Sequence, residues 1–386
     1  MAVVLAVTWL PLQAGLLPFD GAGRIPFLMM TMGVLLVLPS CWRLFFKGPS
    51  LVYFLLAVYM FINAMAKGCV AEMGGTVFAV VSGVFGSLLF MWLLMYLYRC
   101  NVNNTLDVLQ LAFLLYCLLC LFTNGLSGDR FGTLVNANTI ALNAVFSVFV
   151  SCFSYLRKHI TSTRLACYVV LPLFMIMRSG SRTAFLVFAV TMFYLLILSS
   201  RRHGKSRNSI LKYAFAVIAA AALFVVTVKF SMVGERVMTT TTQVEGSVSE
   251  TGTILDIFGD RGLQYYLSWS YFMDNMLTGI GLRKWLTVGI TGLVFHSEYL
   301  VQYCENGLVG FTLYMTFIVS LFVHMHRSRK AARDSGSSDM AYLSFVTLSL
   351  VMIVIINFFY WTYDQYYVFV SYAIATCCGL DAKAHK

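Results

Sequence analysis

Long apolar runs separated by short polar ones set the pattern of this chain. Runs of about 20 apolar residues match the length of a helix that crosses a bilayer's hydrocarbon. They predict about twelve spans: 2–19, 25–46, 50–66, 76–98, 105–123, 138–156, 164–177, 183–200, 209–230, 304–325, 340–360 and 365–380. In lipid every backbone amide must be satisfied within its own segment or a closed barrel, so runs of this length read as helices. No span holds a run of charges, and no internal repeat is visible. The first run lacks a basic leader and an A-x-A-like cleavage site, so it is expected to be a retained span. The expected fold is an all-α polytopic membrane protein, with 1–386 as a single membrane domain. One connection, roughly 231–303, is long enough to form a substructure.

Composition narrows the picture further. The chain has 386 residues, of which 60% are hydrophobic, 15% aromatic and only 11% charged, with a mean hydropathy of +0.80. Soluble domains carry about 25% charged residues. A soluble enzyme, a nucleic-acid-binding domain and a disordered chain are therefore excluded. Six prolines and no Ser/Gly/Pro-rich tract leave no linker to a second domain.

The net charge of +11 is read through topology. With both termini inside and the spans alternating, 17 of the 27 basic residues fall on the inner side, against four acidic ones. The clusters RKHITSTR, RRHGKSR and RSRKAAR all lie there. This is the distribution that cytoplasmic loops show. The charge is thus an insertion signal and gives no support to nucleic acid as a partner. The 231–303 loop lies outside under the same topology. Its second part, RGLQYYLSWSYFMDNMLTGIG, reads as an interfacial helix stopped by the spaced glycines Gly279 and Gly281. The ten cysteines show no disulfide framework, and Cys117-x-x-Cys120 sits mid-span with nothing to make it a metal site.

Candidate chemistry emerges by exclusion. There is no GxxxxGK[ST], no GxGxxG after a strand, no HExxH and no Asp-x-Asp. An activated donor for group transfer would therefore arrive through the membrane. Arg130, Arg178, Arg182, Arg261, Arg283 and Lys284 stand at outer span ends or in the large loop. Arginines are uncommon on that side and need a reason. A phosphate or pyrophosphate group supplies one, because guanidinium forks grip such oxygens in pairs and stay charged. The alternative is that they pair with Asp129, Asp260, Glu235 or lipid phosphates and only anchor span ends. If the RSGSR turn is helical, Arg178 and Arg182 are i,i+4 neighbours. Five histidines lie on the inner side, and His296 alone lies outside, in FHSEYLVQYCENGLVG. An imidazole suits proton transfer at neutral pH, although a histidine at a helix start also serves as a plain hydrogen-bonder. Glu298, Gln302 and Glu305 form a polar stripe if this stretch is helical. Asn136, Asn138 and Asn143 open the sixth span; one of the first two suits an N-cap, and Asn143 suits a polar cavity.

Four segments, in order, resemble one family. RFGTLVNANTIALNA is similar to its Arg/Gly…Asn-x-Asn-x-x-Ala opening of a central span, and MRSGSRTAFL to its S-x-S-R turn. GDRGLQYYLSWSYFMDNMLTGIGLRKW resembles its "R…W…NPL-x-GIG" loop helix. FHSEYLVQYCENGLVGF resembles its "HN-x-YL…E-x-GL-x-G" stretch. The family is the bacterial O-antigen polymerase and O-antigen ligase superfamily. The likeness covers about 130–315 by motif and the rest by topology. Ser297 departs from the usual Asn, and Asp274-Asn275-Met276 replaces the proline before GIG.

The resemblance implies a GT-C-like bundle in the bacterial inner membrane with its active site facing outward. The donor would be an oligosaccharide on undecaprenyl pyrophosphate. A polymerase passes the chain to the next lipid-linked repeat unit; a ligase passes it to a lipid A core sugar. The expected catalytic residues are His296, Arg182, Arg261 and Glu298. Arg130, Arg178, Asn136, Asn138, Arg283 and Glu305 are expected to bind substrate. No metal and no other cofactor are expected, since guanidinium groups can stabilise the leaving pyrophosphate. Membrane lipids and a chain-length-regulating membrane protein are the further expected partners. A transporter is the competing class; it would show interrupted helices in paired halves and ionisable groups at mid-membrane.

Overall fold

The computed structural model describes residue 42 and residues 45–69, 75–124, 136–202, 268–285, 297–337, 339–360, 362 and 365–384. The expected spans 2–19 and 209–230, most of 25–46, and the residues Arg130, Arg261 and His296 lie outside the described residues. The described residues form nine α-helices and no strand: α1 (Pro49–Ala66), α2 (Gly75–Cys100), α3 (Val102–Asn124), α4 (Ala137–Leu156), α5 (Ser162–Ser179), α6 (Arg182–Arg202), α7 (Glu298–Asp334), α8 (Met340–Ile356) and α9 (Tyr366–Ala384). Each falls on an expected span. Six of them are long and apolar enough to cross a bilayer, and α8 and α9 add shorter apolar stretches. The protein is an integral membrane protein built as a helical bundle.

Burial separates the central helices from the lipid-facing ones. Nearly every side chain of α4 is buried, because α3, α5, α6, α8 and α9 all pack around it. A helix apolar on every face is the form such a central pillar requires. Its Phe146, Phe149 and Phe153 meet Tyr367 of α9 and Phe345 of α8, with centroids 5.2, 6.2 and 5.5 Å apart respectively. On the other flank Tyr53 of α1 packs 5.0 Å from Phe317 of α7 and 5.0 Å from Phe369 of α9. Aromatic pairs in these edge-on or tilted arrangements add attraction beyond their burial. By contrast, Leu111, Phe122, Val170, Leu186 and Val319 are exposed along the outer helices, as a lipid-facing surface requires.

The two ends of the bundle differ in chemistry. At one end Arg157 lies 5.1 Å over the Tyr342 ring, and the Tyr342 hydroxyl is 2.6 Å from that of Tyr98. His159 pairs with Asp107 at 2.8 Å, beside the basic run that ends α7. The other end gathers the starts of α2, α4, α6, α7 and α9 and the ends of α1, α3, α5 and α8. This is the alternation that the charge pattern predicts.

One helix departs from its expected form. The span expected at 304–325 starts earlier, at Glu298, and is interrupted at Gly307 (φ 62°, ψ −164°), a conformation open essentially to glycine alone. Over 37 residues α7 would measure about 55 Å if straight, well beyond a hydrocarbon core of about 30 Å. The break frees backbone groups on both sides, and each has a new partner. The carbonyl of Cys304 accepts from the Ile280 amide at 2.9 Å, and that of Glu305 from Gly281 at 3.0 Å. The Asn306 carbonyl accepts from the Tyr59 hydroxyl at 2.9 Å. The freed amides of Leu308 and Val309 donate to Met276 and Leu277 at 2.8 and 3.2 Å. Asn63 of α1 completes the junction by donating to Thr278 at 2.8 Å and to Glu305 at 3.2 Å.

The loop that meets the break contains a helical stretch over 268–274, then the turn of Gly279 (φ 69°) and Gly281 (φ 103°). The expected glycine stop is therefore present, but the glycines also have a packing role. A Cβ on Gly279 would stand 2.4 Å from the backbone of Glu305, and one on Gly307 would stand 2.5 Å from Gly279 and Leu277. Gly307→Ala is expected to lower stability by about 3 kcal/mol or more, as strain and backbone overlap combine. Gly68→Ala, at a positive φ but with open space around it, should cost about 1–2 kcal/mol. Thermal unfolding of the purified variants checks the difference, and equal losses would contradict this account of the junction.

Candidate functional site

The RSGSR turn shows how sequence places a cation at a helix start. α5 ends with Arg178 in its last turn, and Gly180 takes the left-handed C-cap conformation (φ 66°). The Ser179 hydroxyl donates to Ile176 at 2.7 Å and accepts from the Ser181 amide at 3.1 Å. α6 then starts at Arg182. The turn is thus a hairpin between two helices. Arg178 and Arg182 belong to different helices, so the expected i,i+4 pairing is not formed. The glycine stop breaks the helix between them.

The three asparagines separate in the same way. Asn136 caps α4, its side-chain oxygen accepting from the Asn138 amide at 2.9 Å. Asn138 stands in the first turn beyond it. Asn143 is buried, but its amide donates to Thr139 of its own helix at 2.9 Å, which corrects the expectation that it faces a polar cavity.

A cavity of about 300 Å³ lies where these elements meet. It is lined by Asn138, Arg182, Thr183, Leu186, Ile355, Phe359 and Tyr360. The first turns of two helices reach its wall, that of α4 through Asn138 and that of α6 through Arg182 and Thr183. A cation at the first position of a helix opposes the helix dipole. An anion in the cavity would be favoured by the guanidinium and by both dipoles together. This volume is at the lower end of the range for small-molecule sites.

The remaining described candidates form two groups around it. Glu298 is fully buried at the start of α7. Its carboxylate accepts from the Gln302 amide at 2.8 Å and from the Thr362 backbone amide. Its own amide donates to the carbonyls of Asn357 and Tyr360, and the Ser297 hydroxyl donates to Asn357 at 3.1 Å. The expected polar stripe is real but runs from Glu298 through Gln302 to Asn306, whose amide donates to Gln302 at 3.2 Å. Glu305 turns the other way and accepts from the Trp285 indole at 2.5 Å. Arg283 lies 5.7 Å over the Trp285 ring, in a left-handed conformation (φ 59°). Arg283 and Glu305 therefore belong to the junction between loop and broken helix, and Arg182 and Asn138 belong to the cavity. Arg178 and Asn136 flank the cavity elements without lining it.

Sequence reading passed over the 357–360 turn. Its signal was the run Phe358-Phe359-Tyr360 between the polar residues Asn357 and Thr362 at the end of a span. Those polar residues serve the clamp: the Thr362 hydroxyl donates to the Asn357 side chain at 2.7 Å, and Asn357 donates to the Tyr314 hydroxyl. Among the described residues no cluster of His, Cys, Asp and Glu could hold a metal ion.

An integral membrane protein with a cavity lined by Arg182 and Asn138 at one end of its bundle is the class that these features define. Residues 167–315 match the family model described as O-antigen ligase, from within α5 to the upper part of α7. The match includes Arg178, Arg182, Arg261, Arg283, His296, Glu298 and Glu305, and it supports the O-antigen polymerase and ligase superfamily. No curated protein matches the chain. Asn138, Phe359 and Tyr360 lie beyond the matched segment.

The clamp at Glu298 makes a stability prediction. Glu298→Ala leaves the Thr362 amide and the Gln302 side chain without their acceptor and is expected to destabilise by about 2–4 kcal/mol. Glu298→Gln keeps one acceptor oxygen and should lose less than half of that. Chemical denaturation of the purified proteins gives both values.

Proposed function

We propose that this chain is a membrane glycosyltransferase that polymerises undecaprenyl-pyrophosphate-linked oligosaccharide units at the outer face of the bacterial inner membrane. The observation that carries the reading is the shared cavity of Arg182 and Asn138 at the bundle end remote from the basic loops. In this reaction the bond between the donor's anomeric carbon and pyrophosphate breaks. A new bond forms from an acceptor hydroxyl oxygen to that carbon. Negative charge grows on the leaving pyrophosphate, where fixed guanidinium and amide groups stabilise it most in the transition state.

Arg182 is the first of these groups, with Arg178, Arg130 and Arg261 as further cations for the same diphosphate and Asn138 as an amide donor. His296, which precedes Ser297 in the chain, takes the acceptor proton. Glu298 acts as a positioning residue: with its carboxylate held by Gln302 and Thr362, it fixes the turn on the cavity wall. Arg283 and Glu305 hold the loop to the broken helix. Undecaprenyl pyrophosphate departs as the product and membrane lipids surround the site. A chain-length-regulating membrane protein is the proposed partner.

The second reading is ligation, with which the family match is equally compatible. It keeps the donor chemistry and changes the acceptor to a lipid A core sugar.

Reconstitution of the purified protein with lipid-linked repeat units tests the proposal. A ladder of products supports polymerisation. Transfer only when lipid A core is added would replace it with ligation, and no transfer to either acceptor would overturn both. Arg182→Ala is expected to lower kcat by about 10²–10³-fold, and Arg182→Lys should recover only part of it, because the paired donor fork is lost. Excess chelator should leave the rate unchanged, and abolition would remove the metal-independent mechanism.

A further inference from the structure

The cavity contains more than an anion requires. Besides Arg182, the cavity is lined by Phe359 and Tyr360 of the 357–360 turn. Both neighbouring rings are partly exposed, Phe358 at 52% and Phe359 at 36%. Phe358 also packs 4.7 Å from the Tyr299 ring, and Phe359 lines the cavity.

The turn is held firmly for a surface connection. The Glu298 amide donates to Asn357 at 2.8 Å and to Tyr360 at 3.2 Å, and the Thr362 amide donates back to the Glu298 carboxylate. Ser297 adds a bond to Asn357. The backbone that carries the two rings is thus held before any ligand arrives, which lowers the ordering cost of binding.

We propose that Phe359 and Tyr360 form a carbohydrate platform, seating a sugar ring of the oligosaccharide beside the pyrophosphate held at Arg182. The inference rests on the reading of a lipid-linked oligosaccharide as substrate and names the sugar-binding wall of that same site. A pyranose has an apolar face of C–H groups and a rim of hydroxyls. The C–H face lies on the Phe359 ring, an aromatic surface with the attractive π-face that such groups seek. The hydroxyl rim meets the Asn138 amide and the hydroxyls of Thr183 and Tyr360, all of which line the same cavity. Few polar groups on a mostly apolar lining fix the orientation of a bound ring. The 357–360 turn thereby becomes a specificity-determining element, although it lies outside the segment matched to the family.

The test uses the full chain in nanodiscs and two separate soluble probes. One is the delipidated repeat oligosaccharide, followed by saturation-transfer NMR; the other is inorganic pyrophosphate, followed by calorimetry. Phe359→Ala should weaken oligosaccharide binding about tenfold and leave pyrophosphate binding unchanged. Phe359→Trp should retain the sugar. Arg182→Ala should do the reverse, weakening pyrophosphate. Phe359 is partly exposed, so its truncation leaves the core intact, and the retained pyrophosphate affinity reports a folded cavity. If Phe359→Ala binds the oligosaccharide as tightly as the unmodified chain, the rings are interfacial anchors only and the platform is overturned. If sugar binding falls but pyrophosphate never binds, the platform stands and the phosphate role of Arg182 fails. Binding of neither probe to the unmodified chain overturns both.

Discussion

A helix surrounded by lipid can be interrupted only where other groups take its freed amides and carbonyls, and the break at Gly307 meets that condition through a separate loop. The carbonyls of Cys304, Glu305 and Asn306 and the amides of Leu308 and Val309 are all taken by residues 276–281, Tyr59 or Asn63. Each unsatisfied group in hydrocarbon costs several kcal/mol. The loop therefore has one place to go, and α1, the loop and α7 lock together there. Glycine is required on both sides of the contact because the backbones approach too closely for any side chain.

That junction sets the start of α7, and the start of α7 sets the cavity. With the segment 298–306 fixed by the loop below it, Ser297 and Glu298 lie against the carbonyls that end α8. The Glu298 amide and the Ser297 hydroxyl donate to those carbonyls, so the end of one helix caps the beginning of another. The 357–360 turn is carried with them and adds Phe359 and Tyr360 to the cavity that Arg182 also lines. A buried carboxylate thus does structural work at the edge of a site whose charge comes from a guanidinium on a different helix.

Much of the fold was legible in the chain because lipid imposes a simple rule on it. Each of the nine described helices coincides with an apolar run, since length and hydropathy alone determine what crosses hydrocarbon. The described basic runs at 157–164 and 327–333 fell on one end for the same reason. The N-cap role of an asparagine at the opening of α4 and the glycine stop after the loop helix were also readable, because both are local. Three features were not. The break at Gly307 looks like an ordinary small residue in a helix-compatible run. Asn143 looks like a cavity residue until its own helix supplies the acceptor. The Arg178–Arg182 spacing suggested a shared helix face that the left-handed Gly180 abolishes.

The sequence by itself determined which segments lie in the membrane, how their ends divide by charge, and which side chains bring unusual chemistry to one end. Hydrophobic transfer and charge insertion act on each segment separately, so a single chain records them. Tertiary structure alone decided which of those side chains meet. It joined Asn138, Arg182, Phe359 and Tyr360 in one cavity, sent Arg283 and Glu305 to a structural junction, and turned Glu298 into a clamp. These outcomes depend on backbone hydrogen bonds between residues far apart in the chain, and no local pattern encodes which carbonyl a distant amide will find.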